Sequence, residues 1–272
     1  MSRLLLVGNG KWAQNYIRAS RDVNVDIGVA TYGWKDALSS EKYDGVIVCT
    51  PPRSHVDIAV EAMREYRLPV AIEKPLSLSL SDAERLIPYS DLVLVNFLHL
   101  FAPAFNRLKQ IADRDGIETI ASAGTNLGPY RDYPALLDYG SHDFAMAAYL
   151  TGCFSPKLAS ISESQDSGNY FLEVDYDDVH HSMTSGNGGP IKRRSFEITT
   201  RLQDRIMYDD ETREKLFVNG VPEPVEPIPP LQASLRAFRD FVESGVRDSR
   251  FGVDVGLATM RIYEQCRTRA GF

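Results

Sequence analysis

Leu4-Leu5-Leu6-Val7-Gly8-Asn9-Gly10-Lys11-Trp12-Ala13 decides how this chain is read. A short apolar run cut off by glycine is the pattern of a buried strand. Next comes a tight glycine-rich turn with a small residue, Ala13, in the third position of a G-x-G-x-x-A spacing. The first glycine permits a sharp strand-to-helix turn and the second leaves room for a pyrophosphate. Ala13 lets the helix pack close to the strand. The exposed N–H groups at the start of that helix suit an anion. The turn Gly8, Asn9, Gly10, Lys11, Trp12, Ala13 is therefore a candidate dinucleotide cradle.

Working outward, strand-like runs at 4–7, 25–30, 46–49, 69–72 and 92–95 alternate with helical patterns at 11–20, 34–38, 54–66 and 81–87. The last of these helices opens at Ser81, with Glu84 three residues on in capping-box position. Alternation of this kind predicts a parallel, doubly wound α/β sheet. Ligands bind outside the carboxyl ends of such strands, where Gly8, Thr50 and Lys74 are all expected. The second half changes character. Helices at 104–112 and 141–150 precede strand-like runs at 157–162, 170–174, 180–184, 196–202, 205–208 and 215–218. These predict an α+β domain with an open, mostly antiparallel sheet, followed by a proline-rich connector at 221–230 and a helix at 231–244. The division expected is a Rossmann domain at 1–96 and an α+β substrate and oligomerisation domain at 97–272.

Dinucleotide folds usually carry an acid after the second strand to hold the adenosine ribose. Here the chain reads Ala30-Thr31-Tyr32-Gly33, with Lys35 close by. That favours NADP through its 2′-phosphate and leaves NAD open. In Glu73-Lys74-Pro75 the proline biases Lys74 to an extended or turn geometry. A lysine there can donate a hydrogen bond to a substrate oxygen and stabilise alkoxide charge.

These segments, in order, resemble the glucose–fructose oxidoreductase / inositol dehydrogenase / MocA (Gfo/Idh/MocA) family. The resemblance runs through Gly8 to Ala13, Thr50-Pro51-Pro52 with His55, Glu73-Lys74-Pro75, and Asn96 with Phe101 to Phe105. It continues through Asp138-Tyr139-Gly140-Ser141-His142 to Leu150-Thr151-Gly152. It covers about the first 155 residues well and the remainder only in strand pattern. It implies an NAD(P)-dependent dehydrogenase or reductase acting on a secondary alcohol or ketone of a sugar, cyclitol or sugar derivative. Lys74, Asp138 and His142 are implied to face the nicotinamide, with Thr31, Thr50, Pro51, His55 and Glu73 joining the glycine turn in holding the cofactor. The Lys-Pro bond is often cis in that family. Homo-oligomers through the C-terminal sheet are also implied.

Asp138 and His142 are four residues apart, so one helical turn would place them on a common face. The carboxylate would orient the imidazole, which would exchange the proton accompanying hydride transfer. The family's acid three residues after the histidine is absent, since Ala145 stands there and Asp143 directly follows His142. That departure keeps open a sensor that binds the nucleotide without turnover; an imine reductase is the other alternative. Asn126, Tyr130, Arg131 and Tyr133 are candidates for selecting the substrate, and Arg53 or Arg131 for an anionic one. His99 reads as packing near the domain junction, and the adjacent His180 and His181 as turn or strand surface on opposite faces.

Composition bounds the rest. The 272 residues are 43% hydrophobic with net charge −7, which argues against a nucleic-acid binder. The one short cationic run, Lys192-Arg193-Arg194 beside Gly188, Gly189 and Pro190, reads as a solvated turn or strand end. Cys49, Cys153 and Cys266 are too scattered for a disulfide framework or a metal site. No run is long enough for a signal core or membrane span, so a cytoplasmic protein without membrane partners is expected.

Overall fold

The computed structural model describes residues 1–128, 131–164, 168–187 and 191–271. Tyr130, and the turn residues Gly188, Gly189 and Pro190, lie outside the described residues. The chain divides into two units, 1–101 with 228–256, and 102–227 with 257–272.

In the first unit, strands β1 (Ser2–Val7), β2 (Val25–Ala30), β3 (Gly45–Val48), β4 (Val70–Glu73) and β5 (Val93–Asn96) form one sheet in the order β2-β1-β3-β4-β5. Every pairing is parallel. Leu4, Leu5, Leu6, Ile47, Ile72 and Leu94 have no exposed surface, as strands covered on both faces require. Each such side chain contributes roughly 1.5–3 kcal/mol on burial. Helices α1 (Ala13–Asp22), α2 (Trp34–Ser40), α3 (His55–Tyr66) and α4 (Leu80–Ala83) connect the strands. The cap of α4 is Ser79, whose hydroxyl accepts from Asp82 N at 3.2 Å, and not the expected Ser81.

The later segment 228–256 belongs to this first unit, where the expected division placed it with the second half. The reason is a stripe on a later helix, Pro230–Ser244, whose Leu235, Phe238 and Phe241 are buried. Phe238 and Val242 lie against Gly45 of β3, where an added β-carbon would sit within 3.1–3.2 Å of them.

The second unit carries α5 (Pro103–Asp115), β6 (Ile117–Thr125), a π-helical turn at Leu136–Gly140, and α6 (Ser141–Thr151). Strands β7 (Lys157–Glu163), β8 (Asn169–Tyr176), β9 (Val179–Gly186), β10 (Arg193–Thr200), β11 (Arg205–Asp209), β12 (Leu216–Val218) and β13 (Val221–Pro222) come after it. The eight strands are ordered β13-β12-β11-β10-β6-β9-β8-β7. Among the described residues only the β6–β9 pairing is parallel. Helix α7 is the Pro230–Ser244 segment of the first unit, and α8 (Val253–Ala270) is the last helix of the chain.

Strand β6 was not expected. Its Ala121-Ser122-Ala123-Gly124 has low strand propensity, and it forms because neighbours on both sides supply its ladder. Helix α6 is buried from Ser141 through Ala148, which leaves no polar stripe to mark its orientation.

His180 and His181 do take opposite faces of β9, but only His180 is at the surface, between Glu173 and Asp175. His181 has no exposed surface, and its Nε2 lies 2.8 Å from Ser122 Oγ. Burial, with a smaller contribution from the charge of His180, pushes the His181 imidazole from the ordinary 6.5 down to about 3. The folded chain therefore holds it neutral, while an unfolded chain protonates it below its ordinary value. Stability from this group is full above about pH 6.5 and is lost as pH falls toward 3, by up to ~1.4 kcal/mol per pH unit. Urea midpoints measured across that range should fall less steeply in His181→Gln than in the parent; equal slopes would remove His181 as the cause.

Candidate active site

Parallel register brings the carboxyl ends of the first sheet together. Val7 is level with Val48, and Val48 with Ile72, so Gly8, Thr50 and Lys74 follow neighbouring strands on one edge. Gly8 has φ +127°, and a β-carbon there would lie 2.4 Å from the Cys49 carbonyl oxygen. Only glycine passes that point without displacing the backbone of the neighbouring strand. Gly10, by contrast, faces open space, with nothing within 4 Å of a built β-carbon. Helix α1 begins at Ala13, two residues later than expected, because Trp12 serves as its cap. No side chain caps its first N–H groups and its first turn holds no acid. Ala13 is fully buried. Open space above Gly10, uncapped amides and the absence of a competing carboxylate fit a dinucleotide pyrophosphate.

The remaining predicted cofactor residues divide in two. Asn9, Lys11 and Trp12 are exposed around the turn, as is Thr31 at the end of β2. Asn9 accepts from Gln14 Nε2 at 3.1 Å. Pro51 leads into the 3-10 turn Pro52–Ser54, and Thr50 Oγ1 accepts from Ser54 Oγ at 2.8 Å. His55 and Glu73 are buried. The ring nitrogens of His55 face the carbonyls of Pro75 at 2.9 Å and Thr50 at 2.8 Å. That brace ties the ends of β3 and β4 together. Burial pushes its pKa down, against the two carbonyls and the charge of Glu73.

Glu73 is held from three sides. Tyr16 Oη donates to Oε1 at 2.5 Å, Asn96 Nδ2 donates to the same oxygen at 2.8 Å, and Lys74 N donates to Oε2 at 3.3 Å. Ser234 in turn donates to Asn96 Oδ1 at 2.7 Å. Burial and the neighbouring Glu73 charge raise the Tyr16 phenol well above its ordinary range, so it stays a donor. Tyr16 and Ser234 escaped sequence reasoning because neither stands in a motif; only the buried partner reveals them. This network fixes the corner from which Lys74, half-buried, emerges, and the Lys74–Pro75 bond is cis. After β2, Lys35 pairs with Glu61 at 2.5 Å and lies over the Trp34 ring.

In the second unit, Asp138 sits in the π-helical turn and His142 in the first turn of α6, 3% and 8% exposed. Arg131 Nε approaches Asp138 Oδ2 at 3.4 Å. Tyr133 is pushed up to about 12 by burial, with the Asp138 charge adding to it. Asn126 Nδ2 donates to Tyr139 Oη at 2.8 Å. Three of the four residues named as substrate-selecting are thus linked to Asp138 or its neighbour. Arg194, expected in a solvated run, is instead buried and paired with Asp143 at 2.8 Å. Lys192 of that run does lie at the surface, paired with Glu211. His99 is buried, as a packing residue would be. Among the described residues no cluster of His, Cys, Asp and Glu is arranged to hold a metal ion, and no helix is long and apolar enough to cross a membrane.

Comparison with known proteins bears on the fold. Residues 13–91 match the profile of an oxidoreductase family with an NAD-binding Rossmann fold. An uncharacterized oxidoreductase of Bacillus subtilis, YrbE, is 28% identical over 136 residues, which are 45% of this chain and 39% of that protein. The scyllo-inositol 2-dehydrogenase (NAD(+)) of the same organism is 27% identical over 180 residues, 58% of this chain and 50% of the relative. The match thus spans half or less of the length of these curated relatives. A candidate oxidoreductase from Magnetospirillum magnetotacticum superposes with a TM-score of 0.84 at 25% identity, over 97% of this chain and 99% of its own. Over residues 13–91 the chain is similar to the Gfo/Idh/MocA oxidoreductases with their NAD-binding Rossmann fold, and over 97% of its length it shares the fold of a solved oxidoreductase.

Proposed function

We propose that this protein transfers a hydride reversibly between a nicotinamide dinucleotide and a secondary alcohol or ketone carbon of a sugar, cyclitol or sugar derivative. The observation that carries the reading is the shared edge of Gly8, Thr50 and Lys74, which sets a cation beside a turn shaped for pyrophosphate. The cofactor, when bound, supplies or accepts the hydride. Gly8 to Ala13 hold its pyrophosphate, with Thr50 and Pro51 lining the same edge. Lys74 donates to the substrate oxygen and stabilises the charge that develops there. His142 exchanges the hydroxyl proton, and Asp138 orients the imidazole. Arg131, beside Asp138, contributes to substrate choice.

NADP is favoured over NAD. No carboxylate follows β2, and the exposed Lys35–Glu61 pair is of the kind that contributes little, so Lys35 can exchange Glu61 for a 2′-phosphate. We also assign a homo-oligomer through the outer face of the second sheet, where Phe171 is 47% exposed. A cytoplasmic setting suits the three free thiols.

The test is oxidation of NADPH or NADH by purified protein against a panel of keto-sugars and oxidised cyclitols. Stoichiometric turnover is expected with at least one, reduced about 10²- to 10⁴-fold in His142→Ala. Tight nucleotide binding with no turnover across the panel would establish the sensor alternative instead.

A further inference from the structure

Asp143 and Arg194 form an ion pair that hydride transfer as proposed does not use. Arg194 Nη1 donates to Asp143 Oδ2 at 2.8 Å, with the two side chains 8% and 0% exposed. A buried pair of this kind is weak evidence for stability, because well-packed apolar residues often serve the fold equally well. Its position points to another use. Arg194 Nη1 also reaches the carbonyl oxygen of Tyr139 at 3.4 Å. Tyr139 immediately follows Asp138, and Asp143 immediately follows His142. One guanidinium on β10 therefore touches the chain beside each of the two groups assigned to proton exchange.

The sheet is built to admit it. Arg194 pairs across the ladder with Gly124 of β6. A β-carbon at Gly124 would lie 2.5 Å from Asp143 Oδ2 and 2.7 Å from Arg194 Nη1. Glycine at this register position lets the arginine cross β6 to the helix above. The junction being held is the one where the π-helical turn Leu136–Gly140 passes into α6. A π turn alters the angular offset between residues four apart, so the relative aim of Asp138 and His142 depends on how this junction is fixed.

We propose that the Asp143–Arg194 pair is a positioning device that sets the junction and thereby the orientation of His142 and Asp138. The proposal rests on the reading of His142 as the proton-exchanging group. Two variants of the full chain test it. Arg194→Lys keeps the charge but loses the rigid guanidinium whose Nη1 reaches both acceptors. Its kcat should fall about tenfold with NAD(P)H affinity within about twofold of the parent, since misplacement of this sort acts on the chemical step. Asp143→Leu/Arg194→Met removes both charges together. It should keep a melting temperature near the parent's and lose about a hundredfold in kcat, again without a change in nucleotide affinity.

A parental kcat in the folded double variant overturns the proposal. If the double variant does not fold, Arg194→Lys decides alone, and a parental kcat there overturns it equally. So does a kcat loss that only tracks the fraction of folded protein. His142→Ala, measured in parallel, separates the two ideas. Unimpaired turnover in that variant defeats the reading of His142, whereas abolished turnover beside an unimpaired Arg194→Lys defeats only the positioning role.

Discussion

Lys74→Met is expected to lower kcat by about three orders of magnitude and to leave nucleotide affinity within about twofold. The size follows from what the side chain is asked to do. A preorganised donor aimed at a developing oxyanion contributes about 10²–10³ in rate, and coupling to the proton-transfer step adds to that. Methionine has similar length and packs in the same space but donates nothing. The corner that carries residue 74 survives the change, because it is held by other groups. Tyr16 and Asn96 grip the Glu73 carboxylate, and His55 bridges the carbonyls of Thr50 and Pro75. Steady-state kinetics with a competent substrate, together with calorimetry for the nucleotide, checks the split. An unchanged kcat removes Lys74 from the mechanism, and a parallel loss of nucleotide affinity reassigns it to cofactor binding.

Gly8→Ala acts at the other end of the site and through the backbone. At φ +127° an L-residue is strained, a cost of order 1–3 kcal/mol by itself. The added methyl group would also sit 2.4 Å from the carbonyl oxygen of Cys49, which is main chain and cannot rotate aside. Gly8 N donates to Ala30 O, and Cys49 N donates to Val7 O, so β1, β2 and β3 all feel the displacement. The expected results are a destabilisation of about 3 kcal/mol and a loss of about a hundredfold or more in nucleotide affinity, as the turn moves relative to α1. Gly10→Ala provides the contrast. Its β-carbon meets no protein atom, so folding should be almost unaffected while nucleotide binding still falls, because the space it fills is where the pyrophosphate would lie. Thermal melts with and without nucleotide separate the two effects. Equal affinity in all three proteins would mean that the turn is structural only.

The features legible from residues alone divide from the hidden ones on physical grounds. The parallel sheet was legible because its strands are short, mostly apolar and separated by helices, so strand and helix periods alternate cleanly. Gly8, Thr50 and Lys74 were legible because residues that leave the same edge of such a sheet are forced together by topology. The extent of the first unit was less so. Helix α7 announces its apolar stripe but not which sheet will cover it, and the answer came from Phe238 and Val242 against Gly45. Strand β6 was hidden by small residues whose pairing depends entirely on its neighbours. The burial of Arg194 was hidden for a related reason. A cationic run looks solvated until a glycine on the next strand and a carboxylate on a helix give one of its members somewhere to go.

The most direct measurement is calorimetric titration of the purified chain with NAD(H) and NADP(H). Saturable one-to-one binding, with NADP(H) preferred and affinity greatly weakened by Gly8→Ala, is the predicted result. No binding of either nucleotide, in protein whose melting curve shows it to be folded, would contradict the account at its base.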